Sequence, residues 1–169
     1  MLLIAQSEPF VSHPSQLGNK AFADWIGPDS EIGVFYFRKH LHLDAKPDSF
    51  FVHVSADNRY RLFVNGEMVL WGPAVGDLSN WNYESMDIAS YLKKGKNILA
   101  AQVWNFGSNA GARQISHKTA FILQGETEKE RIANTNNSWL VKKDDGYFFT
   151  QIIARNCRWR IHCRCNRQH

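Results

Sequence analysis

The sequence predicts an all-β fold, a β-sandwich with jelly-roll connections and a short irregular tail, on three observations. Apolar residues recur at alternate positions through most of the chain, turn residues interrupt those runs at short intervals, and no stretch of ordinary helical length carries a 3.6-residue apolar repeat. Many short strands with almost no helix bury their apolar faces most simply as two stacked sheets.

The elements follow in order. In GVFYFRKHLHL, Phe35, Phe37, Leu41 and Leu43 share one face, while Val34, Tyr36, Arg38, His40 and His42 share the other, the pattern of a half-buried strand. After Pro47 and Asp48, SFFVHVSAD sets Phe50, Val52, Val54 and Ala56 against Phe51, His53, Ser55 and Asp57. In RYRLFVNGEMVLWG the two-residue Asn65-Gly66 loop tolerates positive φ at both positions and predicts a hairpin. That loop pairs Leu62 with Val69 and Tyr60 with Trp71 on one face, and Phe63 with Met68 and Arg61 with Leu70 on the other. YESMDIASYLKKGKN reads as a bend or single helical turn capped by Asp87, with Ile88, Tyr91 and Leu92 turned inward and Gly95 ending it. ILAAQVWNFG resumes strand spacing, and KTAFILQGE and the stretch 138–150 read as further strands around an Asp144-Asp145-Gly146 turn.

Composition narrows the class. A chain of 169 residues is long enough for one domain with a real core, and no apolar run approaches the ~18 residues that span a bilayer. The net charge of +4 suggests nucleic acid until it is located. Arg155, Arg158, Arg160, Arg164 and Arg167 lie in an acid-free tail, which leaves residues 1–154 with a formal charge of −1. Nucleic acid and membrane are therefore not expected partners. Cys157, Cys163 and Cys165 fall in the same tail, so the body cannot rest on disulfides. The organisation expected is an N-terminal extension over 1–20, a sandwich over 21–150 and a basic, Cys-rich tail over 151–169, non-native or disordered. The opening MLLIAQ lacks the charged start of a secretory signal; it reads as the end of one, or as an ordinary first strand.

The succession Trp25-Ile26-Gly27, FYFRK from Phe35, ADNRYRLFVNG from Ala56, WGP at Trp71, WNYE at Trp81, DIASYL at Asp87, GKNILAA at Gly95 and VWNFG at Val103 resembles the N-terminal β-sandwich region of bacterial α-L-rhamnosidases of glycoside hydrolase family 78. The resemblance covers roughly residues 21–150. More distantly the chain is similar to the sugar-binding-like, galactose-binding-type jelly rolls of β-galactosidases and β-glucuronidases. It implies an accessory domain that supports hydrolysis of terminal α-L-rhamnosides, with the parent hydrolase's catalytic domain as partner. In that family the catalytic acids lie in a separate α/α barrel, so no catalytic residue is carried over. A parent of this kind implies a periplasmic or secreted location.

Carbohydrate-binding sandwiches set an aromatic face against sugar C–H groups and place Asp, Asn or Arg beside it for the hydroxyls. The residues of that type are Asp57, Asn58, Arg59, Trp71, Asp77, Trp81, Asn82, Tyr83, Asn105 and Arg113. In a stand-alone lectin-like module, Trp81 and Tyr83 would form the platform, with Asp77 and Asn82 beside it. The bland reading of the same residues is equally physical: strand-end aromatics seal sandwiches, and turn Asp and Asn bond their own backbone. The loop from Asn105 to His117 is long and rich in small polar residues, suited to a ligand or to an interface with the catalytic domain. Asp77, Glu84 and Asp87 are the acids a hydrolase would need as a pair. No histidine spacing marks a metal site and no cofactor is expected, though a structural calcium on Asp57 or Asp77 fits the loops of a jelly roll. Cys157, His162, Cys163, Cys165 and His169 lack the paired spacing of a zinc site.

Overall fold

A computed structural model describes residues 3–4, 6–7, 23–28, 32–76, 81–107, 116–152 and 158–163. The alternation read from the sequence becomes two antiparallel sheets. The strands are β1 (Leu3–Ile4), β2 (Gln6–Ser7), β3 (Ile26–Gly27), β4 (Gly33–Leu43), β5 (Phe51–Asp57), β6 (Arg59–Val64), β7 (Glu67–Gly72), β8 (Glu84–Asp87), β9 (Gly95–Asn105), β10 (Ala120–Gly125), β11 (Leu140–Lys143), β12 (Tyr147–Ile152) and β13 (Arg158–Cys163). One sheet runs β1-β11-β4-β9-β6-β7, the other β2-β3-β10-β5-β8, and β12 pairs only with β13.

Each sheet turns its apolar parity inward. Phe35, Phe37, Leu41, Leu62, Leu99 and Val103 from the six-stranded sheet meet Val52, Val54, Ala56, Phe121 and Leu123 from the five-stranded one, all buried. Trp139 closes the interior edge-on to Phe121, with ring centroids 5.5 Å apart. Strand β10 is buried along its whole length. Phe121 and Leu123 enter the main core, while Ala120 and Ile122 lie under Ala23, Trp25 and Trp81 on the opposite side, so the unbroken apolar run FIL reflects two covered faces.

The Asn65-Gly66 turn forms with φ of 52° and 93°. Its asparagine does more than tolerate that conformation. The Asn65 side chain donates to the Tyr91 carbonyl and to Asn97 Oδ1, each at 2.9 Å, and accepts from the Ile98 amide at 3.0 Å. The hairpin is thereby fastened to the start of β9 and to the 3-10 turn Ala89–Tyr91.

Two expectations are corrected. The hairpin register begins as expected, with Phe63 opposite Met68, but a bulge follows: Leu62 opposes Leu70, Arg61 opposes Trp71 and Tyr60 opposes Gly72. The extra residue, Val69, moves Trp71 off the core face that Tyr60 occupies, so it anchors nothing in the interior. Residues Glu84–Asp87, expected within a bend or helical turn, form a strand on β5 before the 3-10 turn begins. The cap position is Ile88, which makes no side-chain cap bond; Asp87 sits one residue before it, and its Oδ1 accepts from the Ala89 and Phe50 amides at 2.9 and 2.8 Å. The Asp144–Gly146 turn also forms, but the strands it joins, β11 and β12, belong to different sheets.

One polar side chain sits on the core face of β4. Lys39 is buried, and its Nζ donates to the Asn134 carbonyl at 3.1 Å. Burial lowers its pKa below the ordinary lysine value. Between the folded and unfolded values the unfolded chain binds more protons, so this group makes stability rise as pH rises through that window. The same carbonyl also accepts from Trp139 Nε1 at 3.0 Å. Lys39→Met should therefore leave no orphaned acceptor, raise the melting temperature at neutral pH by a few degrees, and remove part of the alkaline rise in stability, measured by thermal melts between neutral and alkaline pH.

Candidate functional site

The residues singled out by chemistry separate into three places. The first is a polar knot where the chain passes from one sheet to the other. Strand β5 ends at Asp57 and β6 begins at Arg59, so Asn58 alone makes the crossing. Asp57 is fully buried, with Asn58 and Asn105 almost as deeply placed. Its Oδ1 accepts from Asn58 Nδ2 at 2.8 Å and Asn105 Nδ2 at 3.2 Å, and its Oδ2 accepts from the backbone amides of His117 and Lys118 at 2.6 and 3.0 Å. Asn58 Oδ1 takes the Phe106 amide at 2.9 Å. Burial raises the Asp57 pKa, while the His117 and Lys118 amides and Ser116 pull it back. The loop from Asn105 to His117, whose residues 108–115 lie outside the described set, is thus tied at both stems to one carboxylate.

These bonds also decide what Asp57 cannot do. Both its oxygens face N–H donors, an arrangement that does not fit a calcium ligand. Among the described residues no group of three or more His, Cys, Asp or Glu side chains is placed to hold a metal. Asp77 and Arg113 lie outside the described residues.

The second place is the end of the sandwich around the Gly72-Pro73 turn. Tyr60 Oη donates to Glu84 Oε2 at 3.0 Å, the Ala74 amide donates to Glu84 Oε1 at 2.8 Å, and Arg59 donates to the Pro73 carbonyl at 2.5 Å. Burial first, then the Glu84 charge, holds the Tyr60 phenol well above its ordinary pKa. Asn82 belongs here too, donating to the Val75 carbonyl at 3.1 Å while its own carbonyl accepts from Ser55 Oγ at 2.6 Å. Trp81 packs edge-on to Trp25 with centroids 6.5 Å apart, whereas Tyr83 is 40% exposed beside His53 at 5.6 Å. Glu84 and Asp87 are three apart on β8 and so point to opposite faces, with both carboxylates bonded to the protein's own groups. That parity denies them the geometry of a catalytic pair.

The third place is the outer face of the six-stranded sheet. Trp71 is 69% exposed there. One register row crosses five strands: Lys142 opposes Tyr36, Tyr36 opposes Gln102, Gln102 opposes Arg61 and Arg61 opposes Trp71. Gln102 Nε2 donates to Tyr36 Oη at 3.1 Å, and the Arg61 guanidinium lies 5.5 Å from the centroid of the Trp104 ring. The Tyr36 phenol is pushed up to about 12, by partial burial and then by its hydrogen bond to Asp144. Of this row the sequence singles out Trp71 and, within the polar stretch Asp57 to Arg61 that would face a neighbour or a sugar, Arg61; Tyr36, Gln102 and Lys142 were missed. The signal was present in the strand parity, but the bulge at Val69 hid which side of β7 joined it.

No family model and no curated protein sequence matches the chain. Solved structures do. Over 84% of the chain the fold overlays a family 78 rhamnosidase of Bacillus sp. GL1 with a TM-score of 0.70 and 25% identity, covering 16% of that enzyme. The Streptomyces avermitilis α-L-rhamnosidase complexed with L-rhamnose overlays 73% of the chain at 0.53 and 20% identity, covering 12% of the enzyme. A Pleurotus ostreatus lectin overlays 72% at 0.50 and 20% identity, covering 35% of the lectin. The chain therefore spans a small part of the length of each protein it overlays.

Two outcomes follow from the geometry. Asp57→Ala should destabilise the fold by about 3 kcal/mol or more, because the His117 and Lys118 amides each lose this acceptor at about 1–3 kcal/mol per group. Asp57→Asn should recover little of that loss, since its amide sets N–H groups against donors; urea denaturation of both variants measures the difference. At the second place, a Cβ on Gly72 would lie 2.0 Å from Glu84 Oε2 and 2.5 Å from Cδ. Gly72→Ala should lower the denaturation midpoint by displacing Glu84 from Tyr60 and Ala74, and Glu84→Gln in the same background should add less than it costs alone. The chain is a sheet-rich β-sandwich similar to the portion of the family 78 α-L-rhamnosidases that it overlays.

Proposed function

We propose that the chain is a non-catalytic accessory domain of an α-L-rhamnosidase-like glycoside hydrolase, supporting hydrolysis of terminal α-L-rhamnosides by a catalytic domain elsewhere in the parent protein. The observation that carries this reading is the overlay of 84% of the chain on 16% of the Bacillus enzyme. The acids support it as well: Asp57 is consumed by the sheet crossing, and Glu84 and Asp87 diverge on β8. The partner is then the catalytic domain, and the place of work is the periplasm or the exterior, where such glycans are met. Among the described residues no helix is long and apolar enough to cross a membrane.

A stand-alone lectin-like module is the second reading, favoured by the exposure of Trp71 and Tyr83 on a rigid sandwich. Chromogenic α-L-rhamnoside incubated with the purified chain should give no turnover above buffer; turnover abolished by Glu84→Gln would sink the accessory reading. Calorimetric titration with L-rhamnose separates the two binding roles. Saturable binding at millimolar sugar, lost in Tyr83→Ala with the melt unchanged, would favour the lectin.

A further inference from the structure

We propose that the outer face of the six-stranded sheet binds an anionic polysaccharide, with uronate carboxylates held by Arg61 and Lys142 and sugar rings laid against Trp71 and Tyr36. The proposal rests on the glycan-directed reading above and extends it to a surface and a ligand charge. Its basis is the juxtaposition of five side chains from β11, β4, β9, β6 and β7 in one straight row. Neighbouring strands stand about 4.8 Å apart, so the row runs roughly 19 Å across the sheet, the reach of an extended polymer segment rather than of one monosaccharide.

Charge segregation selects the ligand. Outward positions of β4, β6, β9 and β11 carry Arg38, Arg59, Arg61, Lys96 and Lys142 and no carboxylate. Asp144, just past β11, reaches the row through its bond to Tyr36, and Glu67 lies at the far end of the hairpin opposite core-facing Val64. Residues 1–154 nevertheless have a formal charge of −1, so the cations on this face are a local concentration. A guanidinium recognises a carboxylate through two parallel N–H bonds, and Arg61 is held ready by the Trp104 ring.

The apolar half of the recognition comes from the indole of Trp71, a flat surface suited to sugar C–H groups, with the Gln102 amide and Tyr36 hydroxyl placed between for ring hydroxyls. Nucleic acid would also use cations and aromatics. Single-stranded nucleic acid, however, stacks successive bases on aromatic faces, and in this row the two rings, Tyr36 and Trp71, stand three strands apart with Gln102 and Arg61 between them.

The test is affinity electrophoresis and calorimetry of the whole chain with polygalacturonate, at roughly 0.1 M salt, where the screening length is about 10 Å. Fully methyl-esterified polymer serves as the uncharged twin and an oligothymidylate as the phosphate competitor. Saturable binding to polygalacturonate is expected, weakened at least about tenfold by esterification and by Trp71→Ala or Arg61→Glu, with unchanged melts because both side chains are exposed. Phe51→Ala, on the other sheet, should bind as the parent does. The proposal is overturned by absence of binding, by equal binding of the esterified polymer, by insensitivity to both variants, or by tighter binding of the oligonucleotide. Rhamnoside turnover by the chain would count against the accessory reading alone, so the two failures are distinguishable.

Discussion

The crossing at Asn58 is the constraint on which the rest of the sandwich depends. Strand β5 lies in the five-stranded sheet and β6 in the six-stranded one, and a single residue separates them. A connection that short cannot solvate its own polar groups, since both layers close over it. The Asp57 carboxylate answers by accepting four N–H bonds from Asn58, Asn105, His117 and Lys118. Buried ionic groups are costly unless fully bonded, and here the bonding joins the end of β5, the end of β9 and the approach to β10. The relative placement of the two sheets is thus fixed at a point.

The hairpin β6–β7 inherits its position from that knot and its register from two local devices. Asn65 ties the turn to Asn97, the 3-10 turn and β9, so the far end of the hairpin cannot slide along its neighbour. The bulge between Leu62 and Phe63 then changes parity along β7 without disturbing the core partners of β6. Val64, Leu62 and Tyr60 stay inside, while Trp71 is carried out beside Arg61. An exposed indole at the edge of a sheet is therefore a consequence of backbone geometry, with one face of a well-packed hairpin left to meet something else.

Much of this was legible in the residues. Period-two alternation separated the two faces of β4, β5 and β6 and marked β9 as a strand, because a half-buried strand writes its parity directly into its side chains. β10 was harder to orient for the opposite reason: Trp25 and Trp81 cover its second face, so FIL alternates between two apolar environments and shows no period. The strand Glu84–Asp87 was hidden because a four-residue edge strand running into a 3-10 turn has too few residues for either period. The candidate site was legible as residue types but not as a place. Asp57, Asn58 and Asn105 have the chemistry of a sugar site, yet the same hydrogen-bonding capacity serves the sheet crossing, and only burial tells the two uses apart.

That ambiguity bears on how accessory sandwiches divide their polar residues. Groups at the sheet crossing and around Gly72-Pro73 have their donors and acceptors matched internally, so their chemistry stabilises the scaffold. The row from Lys142 to Trp71 has the reverse character: side chains on five adjacent strands are aligned by the backbone ladder and partly exposed, with Gln102 bonded to Tyr36 inside the row, and with Asp144 on Tyr36 and the Trp104 ring beside Arg61 as neighbours. A rigid ladder fixes the backbone under such a row, so a ligand has only side chains left to order, which favours the addition of weak stacking and ion-pair contacts. The interior fixes the geometry, and the bulge at Val69 turns one edge of it outward; were Val69 instead paired in the ladder opposite Leu62, Trp71 would fall opposite Tyr60 on the core parity and the row would break at its exposed end.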